Sequence, residues 1–234
     1  MPVADLAVLV PSRGRPENLA RLSLAVHATA KGKTRVSAGV DEDDPRVMDY
    51  RKLRNSLVDS GDWIYIRPRM NLVQWTNCLA ARHLGDYRFF ASLGDDMVPR
   101  TPGWDVKLMG AIDEEFGGTG ITYPWDNVRD DIPEAYVVSA SLVDALGWMM
   151  LPGLKHWWND NVWADLGHGA GCIRQLRGVA IEHLNAGMGR APADQTAMEA
   201  GQGIPGDQAA YNTWCKTRRA ADVQIIKNLR KAIA

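Results

Sequence analysis

The sequence lacks any apolar stretch approaching the roughly 18 residues that a membrane-spanning helix needs, and its first residues lack the pattern of a secretory signal. Both absences lead to the expectation of a cytoplasmic protein with no membrane partner. Cysteine is scarce and odd in number: Cys78, Cys172 and Cys215 lie far apart, which argues against a disulfide framework or a zinc cluster and for buried thiols. Net charge is nearly absent at −1, but it is unevenly spread. From Cys215 to Ala234, Lys216, Arg218, Arg219, Lys227, Arg230 and Lys231 face only Asp222, so this tail carries +5 and the remainder −6. Such a tail suits phosphate backbones or anionic surfaces. It equally suits a helix whose C-terminal cations complement its own dipole. Internal repeats and a domain boundary are also missing. The 234 residues, 46% hydrophobic and 24% charged, fit one ordinary globular core.

What is present is an alternation of strand and helix. Leu6 to Val10 is a continuous apolar run, as in a strand buried on both faces, and Pro16 starts a helix with Leu19, Leu22 and Val26 on one side. Arg35 to Val40 and Trp63 to Ile66 read as strands. The next helix carries Leu72, Trp75 and Leu79 and stops at Gly85, and Tyr87 to Leu93 follows as a fourth strand. Thr101 and Pro102 read as the cap and first turn of a helix that Gly117-Gly118 ends. Beyond it lie a strand at Ala135 to Ser139, helices at Ser141 to Leu146 and Trp157 to Leu166, and a strand at Cys172 to Ile181 that presents Glu182 and His183. Asn185 to Gly206, rich in Gly, Ala and Pro, reads as a long mobile loop, before a helix with Ile225, Leu229 and Ile233 on one face. The pattern predicts an α/β protein whose mostly parallel sheet is flanked by helices.

Ligands of such sheets bind beyond the carboxyl ends of the strands. Three polar clusters fall there: Pro11-Ser12-Arg13-Gly14-Arg15, Asp41-Glu42-Asp43-Asp44, and Gly94-Asp95-Asp96. Adjacent carboxylates repel unless a cation or strong donors lie between them, and Mg²⁺ or Mn²⁺ commonly bridges carboxylates and substrate phosphates. A solvated acidic loop is the plainer alternative.

The opening strand with Pro11 to Leu19, the acidic turn at Asp41, the asparagines Asn71 and Asn77, and Leu93-Gly94-Asp95-Asp96-Met97-Val98-Pro99 together resemble family 2 glycosyltransferases of the GT-A type, Rossmann-like single domains. The likeness is fullest over the first hundred residues and reaches His183. It implies one domain over 1–234, with a nucleotide-binding half at 1–100 and an acceptor-binding half at 101–234 that ends in the basic tail. Gly94 stands where the family's metal motif has its first aspartate. That leaves Asp96 as the implied metal ligand, completed by His183, with Asp95 touching ribose, metal or neither.

The resemblance further implies that Pro11, Ser12, Arg13, Arg15, Asp41, Asp43, Asn71 and Asn77 bind a UDP-sugar donor and that the cofactor is Mn²⁺ or Mg²⁺. Asn71 has the alternative of a helix cap. His156-Trp157-Trp158-Asn159-Asp160-Asn161-Val162-Trp163 resembles the segment bearing the base of inverting relatives. Asp160 is then the candidate base, and Trp157, Trp158 and Trp163 form a floor for the acceptor, unless they simply pack the core. The compact chain also resembles phage-encoded members, some of which glycosylate 5-hydroxymethylcytosine. DNA is therefore the first acceptor considered, its phosphates held by the basic tail with Arg174 and Arg177. A protein, polysaccharide or small-molecule acceptor is the alternative. Two other classes compete: a sugar-phosphate nucleotidyltransferase, disfavoured because the loop after the first strand has one glycine, Gly14, and a non-catalytic sugar or nucleic-acid binding module.

Overall fold

Leu6 to Val10 have no exposed surface, as befits a strand paired on both edges and covered on both faces. In the computed structural model of the chain, which describes residues 4–127, 131–184 and 195–233, this run is β1 (Ala4–Pro11). It is followed by α1 (Pro16–Thr29), β2 (Thr34–Asp41), α2 (Val47–Ser56), β3 (Trp63–Arg67), α3 (Leu72–His83) and β4 (Tyr87–Ser92). β2 and β4 flank β1 in parallel, and β3 extends the sheet in parallel beyond β2.

The second half contributes β5 (Met97–Pro99), α4 (Trp104–Phe116), β6 (Ile121–Trp125), β7 (Tyr136–Ser139), α5 (Ala140–Leu146), α6 (Asn159–Ala170) and β8 (Ile173–His183). Helices α7 (Gln195–Gln202), α8 (Ile204–Thr217) and α9 (Arg219–Ile233) complete it. All eight strands form one sheet in the order β3-β2-β1-β4-β7-β6-β8-β5. β7 runs antiparallel to both β4 and β6, β8 runs parallel to β6, and β5 runs antiparallel to β8. The carboxyl ends of β1, β2, β4 and β8, the start of β7 and the start of α6 therefore meet at one edge.

Strand alternation sorts the core into two layers. Leu6, Val8 and Val10 pack with Leu19, Leu22, Trp104 and Leu108, whereas Ala7 and Leu9 pack with Trp75, Leu79, Trp163 and Ile226. Trp104 and Trp163 are the largest fully buried side chains, and truncating either costs about 3–5 kcal/mol.

Several elements depart from the sequence expectations. α2 is not among the expected helices, because its apolar face is thin: only Tyr50 is fully buried, Leu53 packs on the core in part, and charged residues fill most of the rest. α4 starts at Trp104 behind a left-handed Gly103, later than the Thr101-Pro102 start. α6 begins at Asn159, not Trp157, because Trp158 is itself left-handed (φ 65°). The expected loop from Asn185 is corrected: residues 185–194 lie outside the described residues, and α7 and the start of α8 occupy the rest. In α9 the fully buried apolar residue is Ile226, beside buried Asp222, while Leu229 is partly buried and Ile225 is exposed. Among the described residues, no helix is long and apolar enough to cross a membrane.

Candidate functional site

The loop after β1 is held by acids from the neighbouring strand ends. Arg13 Nη1 donates to Asp41 Oδ2 (2.9 Å) and Asp43 Oδ1 (2.7 Å). Asp44, buried, accepts from the backbone N–H of Gly14 (2.7 Å) and of Arg46 (2.6 Å). Gly14 takes the left-handed conformation (φ 70°) that suits glycine. Asp41 is buried and already satisfied, because Oδ1 also accepts from the Trp75 indole N–H (2.7 Å) and the Met70 N–H (3.0 Å). Gly39 makes this possible: a Cβ there would lie 2.2 Å from the Trp75 ring. Asp43 stays half exposed, and the hydrogen bond from Arg13 holds its carboxyl below the usual range.

Asp95 is buried as well. Ser12 Oγ donates to its Oδ2 (2.6 Å), and Arg15 Nη1 approaches its Oδ1 (3.3 Å). Burial pushes the carboxyl up to about 6, although Ser12 and Arg15 both oppose that rise. Tyr50 from α2 adds a further bond, its hydroxyl lying 2.7 Å from Ser12 Oγ and accepting from the Arg15 N–H (2.9 Å). Ser12, Arg15, Tyr50 and Asp95 thus form one buried network, and nothing in the sequence marked Tyr50 as part of it.

Asp96 has a different close partner. The ladder between β5 and β8 pairs Met97 with His183, which sets His183 Nε2 3.4 Å from Asp96 Oδ1. His183 Nδ1 lies 2.9 Å from Glu134 Oε2, and the His183 N–H donates to Asn127 Oδ1 (3.0 Å). Burial disfavours the imidazolium, yet Asp96 and Glu134 outweigh burial and lift it to about 9. Burial also works against the Asp96 carboxylate, but His183 and Arg15 prevail and its pKa is lowered. Gly94 leaves room for this geometry: a Cβ there would lie 2.6 Å from Asp96 Oδ1. Glu182 faces the opposite side of β8 and pairs with Arg100.

This arrangement fits a divalent cation. A metal-bound histidine commonly gives its second nitrogen to a carboxylate, the position Glu134 holds, which leaves Nε2 and Asp96 facing one space. Among the described residues no three His, Cys, Asp or Glu side chains form a ready ligand cluster. Protein would then supply two ligands, and oxygens of a bound phosphate and water would supply the rest.

Asp160 stands in the first turn of α6, where its Oδ1 accepts from the Asn161 N–H (2.9 Å). The segment before it is held by Asp207, buried in α8. Its two oxygens accept from the N–H groups of Lys155 (2.9 Å), His156 (2.8 Å) and Trp157 (2.8 Å). Asp207 stands just past the stretch expected as a loop, Asn185 to Gly206, in the first turn of α8, whose start Pro205 marks.

Of the tryptophans, Trp157 is exposed and Trp158 is half buried, but Trp163 is fully buried, with its indole N–H donating to Met149 O (2.8 Å). Trp163 is therefore core rather than acceptor floor. Asn71 caps α3 in a reciprocal capping box with Gln74, and Asn77 Oδ1 accepts from the N–H groups of Met149 and Met150 (2.8 Å each). Both asparagines are committed to the scaffold. Pro11 ends β1 at the site's edge.

No known protein-family profile matches the chain. No curated protein matches it in sequence either. Solved structures do resemble it. The mannosyltransferase PcManGT from Pyrobaculum calidifontis, in complex with GDP-Man and Mn²⁺, superposes with a TM-score of 0.64 at 10% identity, over 98% of this chain and 85% of that one. The chain has the GT-A fold. S. aureus TarS in complex with UDP gives 0.58 at 14% identity, over 76% and 60%, and in a longer TarS structure the chain covers only 36% of the length. Glucosyl-3-phosphoglycerate synthase from Mycobacterium tuberculosis, with Mn²⁺, UDP and glucosyl-3-phosphoglycerate, gives 0.59 at 13% identity, over 86% and 77%.

Proposed function

We propose that this chain is a metal-dependent, inverting glycosyltransferase that moves a hexose from a UDP-sugar to an acceptor hydroxyl. The observation that carries the reading is the pairing of Asp96 with His183, backed by Glu134, at the edge where the loops after β1 and β2 converge. The GT-A folds of PcManGT with GDP-Man and Mn²⁺ and of TarS with UDP support it. An imidazole beside a carboxylate favours Mn²⁺ over Mg²⁺, which prefers oxygen alone.

Arg13 and half-exposed Asp43 would bind the nucleoside, with Asp41 holding Arg13 in place. Arg15, steadied by Asp95 and Tyr50, would face the diphosphate. Asp96 and His183 would hold the cation, which when bound neutralises the departing diphosphate. Asp160 would take the proton of the acceptor hydroxyl as that oxygen attacks the anomeric carbon from the face opposite the diphosphate.

For the acceptor we propose the primary hydroxyl of a 5-hydroxymethylpyrimidine in DNA, with exposed Trp157 placed to stack on a base. The basic tail offers less phosphate contact than its charge suggests. Within it Arg219 pairs with Asp165, Arg218 with Asp222, and Arg230 donates to Ala170 O and Gly171 O; outside it, Arg174 of β8 pairs with Glu115. Incubation with Mn²⁺, UDP-glucose, UDP-galactose or UDP-N-acetylglucosamine and hydroxymethylated DNA, followed by digestion and mass spectrometry, tests both levels. A hexose on the hydroxymethyl base is the expected result. UDP release without that adduct redirects the search to protein, polysaccharide or small-molecule acceptors. Asp96→Ala should abolish metal-dependent UDP-sugar binding and turnover, and full activity of that variant in chelator refutes the metal assignment.

A further inference from the structure

Among the described residues, four buried side-chain polar atoms have no hydrogen-bond partner, and two of them belong to residues tied to Asp160: the hydroxyl of Tyr136, which feels the Asp160 charge, and Oδ1 of Asn159, the residue before it. Tyr136 is 2% exposed and Asn159 5%. Ser92 and Trp163 neighbour the Tyr136 hydroxyl, but neither makes a hydrogen bond of acceptable geometry to it, and the Trp163 indole N–H is spent on Met149 O. Asn159 donates through Nδ2 to His156 O (3.2 Å), which leaves its oxygen as a free acceptor. Burying an unpartnered polar atom costs free energy, and native structures seldom keep one without a reason.

Their placement supplies the reason. Tyr136 opens β7 directly opposite Ser92, the last residue of β4, at the edge where Gly94 to Asp96 leave the sheet. Its ring lies 5.9 Å from that of Trp163, and Trp163 stands four residues after Asn159, on the same face of α6. The charge of Asp160, the next residue, reaches Tyr136. One hydroxyl that can donate and one amide oxygen that can only accept are thus tied to the candidate base, one through its charge and Trp163, the other through the chain.

We propose that Tyr136 and Asn159 form a subsite for a hydroxyl group of the donor's hexose. An alcohol satisfies both atoms at once, accepting from Tyr136 and donating to Asn159 Oδ1. A phosphate oxygen would accept from Tyr136 but be repelled by Asn159 Oδ1 and Asp160. The subsite selects among hexoses, since an epimer with its hydroxyl turned away leaves both atoms unpaired. This inference rests on the donor reading above.

The test compares Tyr136→Phe with wild type by calorimetry in Mn²⁺, using UDP, UDP-glucose, UDP-galactose and UDP-N-acetylglucosamine, with Asn159→Ala as a second variant. UDP affinity should be unchanged in Tyr136→Phe, because UDP has no hexose. Affinity for the best wild-type UDP-hexose should fall about tenfold, the worth of one hydrogen bond, and preference among the three sugars should narrow in both variants. The melting temperature of the free Tyr136→Phe protein should hold or rise, since an unpaired buried hydroxyl is gone. A lowered melting temperature would mean that the hydroxyl has a structural partner, and it overturns the proposal. So does an equal change for UDP and UDP-hexose, or a rise in acceptor KM with donor affinity intact. Wild-type protein that binds neither UDP nor any UDP-hexose refutes the donor reading itself, and the subsite with it.

Discussion

Removing the Asp207 carboxylate should damage the protein out of proportion to one residue. Its two oxygens accept three consecutive backbone N–H groups, those of Lys155, His156 and Trp157, and it is buried. Asp207→Ala leaves those three donors without a partner. Each hydrogen bond to a charged group is worth about 1.5–3 kcal/mol, but the three share one carboxylate whose own desolvation cost disappears with it. Breaking a buried charged network by removing one member typically costs about 3–5 kcal/mol. For a domain of this size each kcal/mol lowers the melting temperature by about 2–4 °C, so a fall of about 10 °C is expected. Asp207→Asn keeps one acceptor oxygen but turns an NH₂ toward an N–H, and should lose roughly half as much. Asp144→Ala, on an exposed acid, is the control and should stay within about 0.5 kcal/mol. Thermal unfolding followed by circular dichroism is the assay. A melting temperature for Asp207→Ala within 2 °C of wild type, a bound set from that scaling, refutes the argument that this carboxylate holds the segment leading into Asp160.

Asp160→Asn should retain UDP-sugar binding and the wild-type melting temperature while lowering turnover at least about a hundredfold; wild-type rates would acquit Asp160 as the base. His183 ties metal-free stability to pH. Its pKa rises from 6.5 unfolded to about 9 folded, so its stabilisation is complete below pH 6.5 and is lost as pH climbs to 9, by about 3 kcal/mol at most. Denaturant unfolding in chelator at pH 6.5 and 9 should show that loss and should show it reduced in Glu134→Gln; a flat profile refutes the triad's electrostatics.

The elements that sequence pattern located correctly are those with strong apolar signals. Leu6 to Val10 reads as a doubly covered strand and is one, and its polar successors Ser12, Arg13 and Arg15 pair with the acids of the neighbouring loops at the candidate site. Side chains committed to backbone partners were less legible. Asn71 fits the Asn-x-x-Gln capping pattern as well as it fits a ligand contact, and only its bonds with Gln74 decide. Trp163 was ambiguous because aromatics serve cores and binding floors alike, and its burial settles the matter. Glu134, Tyr50 and Asp207 carry no local signature, since each acts on residues more than 30 positions away.

The short strand β5 leaves β4 after only four residues, Leu93 to Asp96, a length of chain that can reach at most about 18 Å from Ser92 to Met97. Along the hydrogen-bonded sheet, however, β7, β6 and β8 stand between them. The sheet must therefore curl back until its last rung meets its own middle, closing a hoop in which one link is covalent and the others are ladders. Asp96 and His183 sit on the seam of that hoop. The first hundred residues cannot make the seam on their own, because its other lip is the end of β8, which the ribosome delivers more than eighty residues later. The candidate cation site is thus a late product of the whole chain's closure, and it is present only when the hoop is shut.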